Sequence, residues 1–163
     1  MTGNRMIGIA GRPGSGKTRL MVALVGELSR RGLKVSTMMG VDDPASIDQP
    51  GKDSYRHRDA GAEEVMVTSA QRWALIHGGG ATARDPLDRI ADVDVVIVEH
   101  MDGGGYPLIE VHRAAAGPPL GRDDPAILAV VSDQPPGGLK MPVLDIDDLP
   151  AVADFIAAHM GFA

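Results

Sequence analysis

Met6-Ile-Gly-Ile-Ala-Gly-Arg-Pro-Gly-Ser-Gly-Lys-Thr18 decides the fold of this chain. Five residues with apolar character read as a strand, and the octet Gly11 to Thr18 that follows fits a complete phosphate-binding P-loop. Glycines let the backbone come close to phosphate oxygens, where a Cβ would intrude. The N–H groups of the bend converge on an anion, and a helix starting near Lys17 adds its positive end. In that arrangement Lys17 reaches the β- and γ-phosphates, and the Thr18 hydroxyl ligates the Mg²⁺ that accompanies a nucleoside triphosphate. Arg19, which follows directly, is counted with the nucleotide-binding residues.

Downstream, Leu20, Met21, Ala23, Leu24, Val25 and Leu28 form a buried helical stripe, and Arg30-Arg31-Gly32 supplies cations and a stop. Strand candidates then recur along the chain at residues 33–39, 64–68, 72–77, 93–98, 108–112 and 126–131. The β-branched run at 93–98 is of the kind buried on both faces of a parallel sheet. Residues 40–51 are turn-rich, a short polar helix covers 52–60 and Gly61 closes it, and 86–91 reads as helical. Glycine-rich loops are expected at 78–83 and 102–105, and Pro135-Pro-Gly-Gly138 breaks the chain. A last helix is capped by Asp147 or Asp148, takes Pro150 in its first turn and buries Leu149, Val152, Ala153, Ile156 and Met160. The pattern predicts an α/β fold of P-loop NTPase type, with a mostly parallel sheet, helices on both faces and some added antiparallel strands. At 163 residues the chain is expected to form a single nucleotide-binding domain over residues 1–163. Strand order is not legible at this level.

Composition narrows the function. The net charge of −6 argues against general nucleic-acid binding, which rests on clustered cations. The absence of cysteine removes disulfides and thiolate metal sites and suits a reducing cytoplasm. No apolar stretch reaches membrane-spanning length, so no membrane association is expected. His57, His77, His100, His112 and His159 show no metal-ligand spacing. Glu99 ends the run Asp94-Val-Val-Ile-Val-Glu99. It reads either as the carboxylate serving Mg²⁺ or the attacking water in a P-loop protein, or as the place where a strand emerges into solvent. Asp133 follows the strand at 126–131 and reads either as a group that accepts from guanine or as a turn residue. Arg12 is taken as an exposed loop residue, and Trp73 as core or dimer packing.

A longer set of segments then becomes specific. Asp48-Gln-Pro-Gly-Lys-Asp-Ser-Tyr-Arg-His-Arg-Asp-Ala-Gly-Ala62, Gln71-Arg-Trp-Ala-Leu75, Ile109-Glu-Val-His-Arg113, Ala129-Val-Val-Ser-Asp133, Val143-Leu-Asp-Ile-Asp-Asp148 and Ala153-Asp-Phe-Ile156 occur in order. Together with the P-loop they resemble the MobB family, the molybdopterin-guanine dinucleotide biosynthesis adaptor proteins. The resemblance implies a homodimeric GTP-binding protein that is at most a slow Mg²⁺-dependent GTPase. Such a protein assists the molybdenum cofactor guanylyltransferase, which couples the molybdopterin intermediate to GMP. By the same resemblance Gly11, Gly14, Ser15, Gly16, Lys17 and Thr18 hold the phosphates, and Glu99 serves the magnesium. Asp133 lies where guanine is read, and Lys52, Asp53, Arg56 and Arg72 belong to segments facing the nucleotide or the cofactor intermediate. Lys17 and Glu99 are the expected catalytic residues.

The chain departs from the family in two places. Met38-Met-Gly-Val-Asp-Asp43 stands where a Lys-His pair is usual, and Glu99-His-Met-Asp102 replaces a Glu-Gly-Phe-Lys run. Two expected cations are therefore missing. The alternatives to an adaptor are a P-loop small-molecule kinase, which needs an arginine-bearing lid, and a metallochaperone-type GTPase, which needs Cys or clustered His.

Overall fold

The computed structural model describes residues 6–43, 47–78, 89–90, 93–99, 101, 105–122 and 124–162. Among these residues, eight strands and three α-helices follow one another as β1 (Met6–Ala10), α1 (Lys17–Arg30), β2 (Val35–Met39), α2 (Asp53–Asp59), β3 (Glu64–Thr68), β4 (Trp73–His77), β5 (Val95–Glu99), β6 (Leu108–His112), β7 (Ile127–Ser132), β8 (Val143–Asp145) and α3 (Leu149–His159). Six strands form one sheet in the order β2-β5-β1-β6-β7-β8, with every neighbouring pair parallel. The remaining two, β3 and β4, pair antiparallel as a separate hairpin. The expected α/β architecture, parallel sheet plus added antiparallel strands, is what the molecule has. The expected helix at 86–91 and the loop tips at 79–83 and 102–104 fall outside the described residues, apart from Arg89 and Ile90.

Alternation along the strands divides the core in two. Ile7, Ile9, Val95, Ile97, Ile109 and Val111 face α1 and α3, meeting Leu20, Leu24, Leu28, Val152 and Ile156. Met38, Val96 and Val98 point to the opposite face, where Met6, Val93, Met101 and Tyr106 cover them. The run at β5 is buried at all five positions, as its unbroken β-branched character predicts.

α1 begins with Gly16 in a left-handed conformation and has no side-chain cap, so its first N–H groups remain available to a ligand. At its other end Arg31 clasps the two helices together. Its guanidinium donates to Glu27 at 2.8 Å and to the Pro150 carbonyl at 3.2 Å, and pairs with Asp154. α3 is capped by Asp148, whose carboxylate accepts from the Ala151 N–H at 3.1 Å.

At two places the structure goes beyond or narrows the sequence reading. β8 was not anticipated as a strand: three residues after Pro142 carry too little periodicity, and the pairing of Val143, Leu144 and Asp145 with β7 makes them one. Trp73 is 67% exposed, with Met66 at 64%, so core packing within the chain is excluded for this side chain. Among the described residues, no helix is long and apolar enough to cross a membrane.

Candidate nucleotide site

Parallel pairing brings the C-terminal ends of β1, β5, β6 and β7 to one edge of the sheet, the edge where open α/β sheets bind ligands. The P-loop leaves β1 at that edge. Gly11, Gly14 and Gly16 have φ of 145°, 79° and 99°, values that favour glycine. A Cβ on Gly11 would stand 2.5 Å from the Val111 carbonyl oxygen and 2.7 Å from Ser15 Oγ, so no other residue fits there unless the loop shifts. Lys17 folds back over the bend and donates from Nζ to the Gly11 carbonyl at 3.0 Å and to the Arg12 carbonyl at 3.4 Å. Ser15 is 1% exposed, and its hydroxyl has no hydrogen-bond partner among the described residues. A buried polar atom of that kind is costly unless a ligand satisfies it.

Glu99 ends β5 in register with Ile9 of β1, which sets its carboxylate beside the start of the loop. It is 3% exposed, so the reading of a strand end emerging into solvent does not hold. Thr18 is exposed in the first turn of α1. Among the described residues, no group of three His, Cys, Asp or Glu side chains could hold a metal by itself. Thr18 and Glu99 are hard oxygen donors, the set that suits Mg²⁺ when phosphate oxygens and water complete its shell. The orphaned Ser15 hydroxyl beside them fits a phosphate-bearing ligand in the same place.

Asp133 lies just past β7 and is not free: its carboxylate accepts from Arg113 at 2.9 Å. Arg113, at the end of β6, in turn approaches the P-loop, with Nε 3.9 Å from where a Cβ on Gly16 would project. Arg113 is the site residue that the sequence did not single out. It appeared only as the last letter of the segment 109–113, and its reach toward Gly16 depends on β6 lying next to β1. Arg12 also differs from expectation. Its Nε donates to the Pro118 carbonyl at 3.0 Å, so the side chain is tethered rather than loose in solvent.

Two buried polar residues on β6 organise this edge. Glu110, 1% exposed, accepts from the Leu120 N–H at 2.7 Å and the Gly121 N–H at 2.8 Å. His112 donates from Nε2 to the Gly117 carbonyl at 3.0 Å and meets the Ser132 hydroxyl through Nδ1 at 2.9 Å. Both hold the connection after β6 that carries Pro118, the anchor of Arg12.

The other candidates have their described partners elsewhere. Lys52 precedes α2 and Asp53 opens it. Both are exposed, and Asp53 pairs with Arg56 at 3.5 Å. α2 packs against β3 and is fastened by buried Asp48, which accepts from Ser54 Oγ at 3.0 Å and from Arg58 Nε at 2.9 Å. Arg72 is exposed in the turn between β3 and β4. No described hydrogen bond or ion pair joins Lys52, Asp53, Arg56 or Arg72 to the P-loop.

With this geometry in place, similarity to known proteins becomes decisive. The family model described as "Molybdopterin guanine dinucleotide synthesis protein B" (MobB) matches residues 6–133. The chain belongs to the MobB family. A molybdopterin-guanine dinucleotide biosynthesis adapter protein of Haemophilus influenzae is 34% identical over 155 residues, covering 93% of this chain and 86% of the relative. Its counterpart in Escherichia coli is 33% identical over 171 residues, covering 98% and 97%. A solved MobB structure superposes with a TM-score of 0.72 at 25% identity, covering 95% of this chain and 98% of that one. A MobB homolog from Bacillus stearothermophilus gives 0.63 at 20% identity over 96% and 97% of the two chains, which speaks to the fold alone. MobB membership leaves the kinase and metallochaperone alternatives without support.

Proposed function

We propose that this MobB protein binds GTP with Mg²⁺ and acts as the adapter that assists a molybdenum cofactor guanylyltransferase in forming the guanine dinucleotide from the molybdopterin intermediate. One observation carries the nucleotide part. The loop between β1 and α1 presents left-handed glycines, an uncapped helix start, a lysine folded over the bend and a buried serine hydroxyl with no described partner. Such a bend suits an anion: the serine hydroxyl has no described partner, and the lysine is held by two carbonyls of the loop itself.

In this reading the backbone from Gly11 to Gly16 cradles the phosphates, and Lys17 neutralises charge on the β- and γ-groups. Thr18 and Glu99 would hold the Mg²⁺, which supplies charge neutralisation across the β- and γ-oxygens when bound. Arg19 continues the first turn toward the nucleoside, and Asp133 borders the nucleotide through Arg113. Lys52 and Asp53, exposed at the start of α2, are available to the cofactor intermediate or to the partner enzyme. Catalysis by the chain alone is slow, because the two cations missing after β2 and after Glu99 leave charge on the transferring phosphoryl poorly stabilised. The exposed apolar side chains of the hairpin, Met66, Val67 and Trp73, support a homodimer. The absence of cysteine supports a cytoplasmic setting.

Titration calorimetry with GTP and Mg²⁺ tests this. Wild-type protein is expected to bind, and Lys17→Ala to lose binding while keeping its circular dichroism spectrum. Retained affinity in a folded Lys17→Ala protein would refute the assignment of the loop.

A further inference from the structure

Two clefts flank the P-loop, and they differ in chemistry. One lies on the β5 side, bordered by Gly8, Lys17, Val98 and Tyr106. It adjoins the β5 end that carries Glu99, so the metal-bearing end of a triphosphate belongs there. The other opens past Gly16, over the first turns of α1, and has a volume of about 220 Å³. Sites that bury whole drug-sized ligands run to roughly 300–1,000 Å³. This cleft is therefore scaled to one part of a nucleotide. A triphosphate running from Glu99 along the bend leaves the loop at Gly16 and Arg19, which places the nucleoside in this second cleft.

The lining suits a purine. Leu20, Ala23 and Ile146 form an apolar floor, and Arg19 and Arg113 offer flat guanidinium faces that stack on aromatic rings. At the edge stands Asp147. Its backbone N–H donates to Asp145 Oδ1 at 2.9 Å, and the adjoining Ile146 N–H donates to the Ser132 carbonyl at 3.1 Å, so the loop after β8 is pinned to the end of β7. The Asp147 carboxylate itself makes no hydrogen bond or ion pair with any described residue. Asp133, by contrast, is already committed to Arg113.

We infer that Asp147 is the residue that selects guanine, its carboxylate accepting from the base, while Asp133 positions Arg113 against the base plane. This rests on the nucleotide-binding reading above. Guanine presents two adjacent donors, the N1–H and the exocyclic amine, which one carboxylate accepts together. Adenine presents a lone pair at N1 and would be repelled. Xanthine keeps the N1–H but replaces the amine with a carbonyl. An amide matches xanthine because it accepts once and donates once.

The test measures the affinities of Mg²⁺-bound guanosine, adenosine and xanthosine triphosphates for wild type, Asp147→Asn, Asp147→Ala and Asp133→Asn. Asp147→Asn is expected to lose ten- to a hundredfold in guanosine triphosphate affinity and to gain xanthosine triphosphate, so that the preference inverts. Asp147→Ala should lose the first without gaining the second. Asp133→Asn should weaken all three ligands alike, because it frees Arg113 without touching the reading edge. If Asp147→Asn leaves the ratios unchanged, or if Asp133→Asn is the variant that shifts them, this inference is overturned and the P-loop reading stands. A wild type that binds none of the three overturns both. Asp147 is exposed and its carboxylate holds no described group, so circular dichroism of the variants is expected to match wild type.

Discussion

At the scale of single residues, most of the phosphate-binding loop was legible because each of its positions has a chemical reason that no neighbour can change. Gly11 shows this in its strictest form, with a positive φ and two atoms waiting within 2.7 Å of any Cβ. Gly11→Ala is expected to lower unfolding free energy by on the order of 2–3 kcal/mol, through backbone strain and overpacking. It should also abolish triphosphate binding. Chemical denaturation and calorimetry on the same preparation check both. Glu110 was not legible as a structural group: on a strand it reads as a polar interruption, and only the path of the chain after β6 brings the N–H groups of Leu120 and Gly121 to its two oxygens. Glu110→Ala strands two N–H groups in a buried place and is expected to cost about 3 kcal/mol, with Glu110→Gln losing less. Arg113 escaped attention for the same reason, since its partners Asp133 and Gly16 come from other elements.

At the scale of elements, period and punctuation worked where a segment has its own signal. The helices end at glycines Gly32 and Gly61, the buried β5 declares itself by composition, and Asp148 caps α3. What depends on neighbours was missed: β8 exists because β7 offers it an edge, and strand order follows from pairings between distant segments. Asp148→Ala is expected to cost about 1 kcal/mol by removing the cap of the Ala151 N–H. The joint between α1 and α3 has a pH signature. Hydrogen bonds from Arg31, and then from Arg30, hold the Glu27 carboxyl below its ordinary range. Because the folded value is the lower one, this contribution is present in full above the unfolded value and fades as acid takes the pH down through the folded one. The difference in melting temperature between wild type and Glu27→Gln should therefore be small, present near neutrality, and absent in strong acid. Added salt should also reduce it, because the pairing lies at the surface and its Arg30 arm is exposed.

At the scale of the whole molecule, the hairpin of β3 and β4 stands outside the six-stranded sheet and leaves Trp73, Met66 and Val67 uncovered. The proposed homodimer predicts that Trp73→Glu shifts sedimentation toward the monomer without changing the secondary structure, and the proposed slow GTPase that dilution of the wild type lowers hydrolysis per chain. A sedimentation profile that Trp73→Glu leaves unaltered would refute the proposed dimer contact through the hairpin. The sheet order carries one more consequence, for the birth of the protein. β1 lies at the interior of the sheet, yet both strands that flank it, residues 95–99 and 108–112, are translated long after it. A ribosome that has released the phosphate loop has still to make either neighbour, and pairings of this long range form slowly. A polypeptide halted before residue 95 carries every letter of the loop and none of the support that shapes it. Unfinished chains are therefore expected to leave the cell's triphosphate pool untouched, and retention on a GTP resin to begin only with products that extend past residue 112.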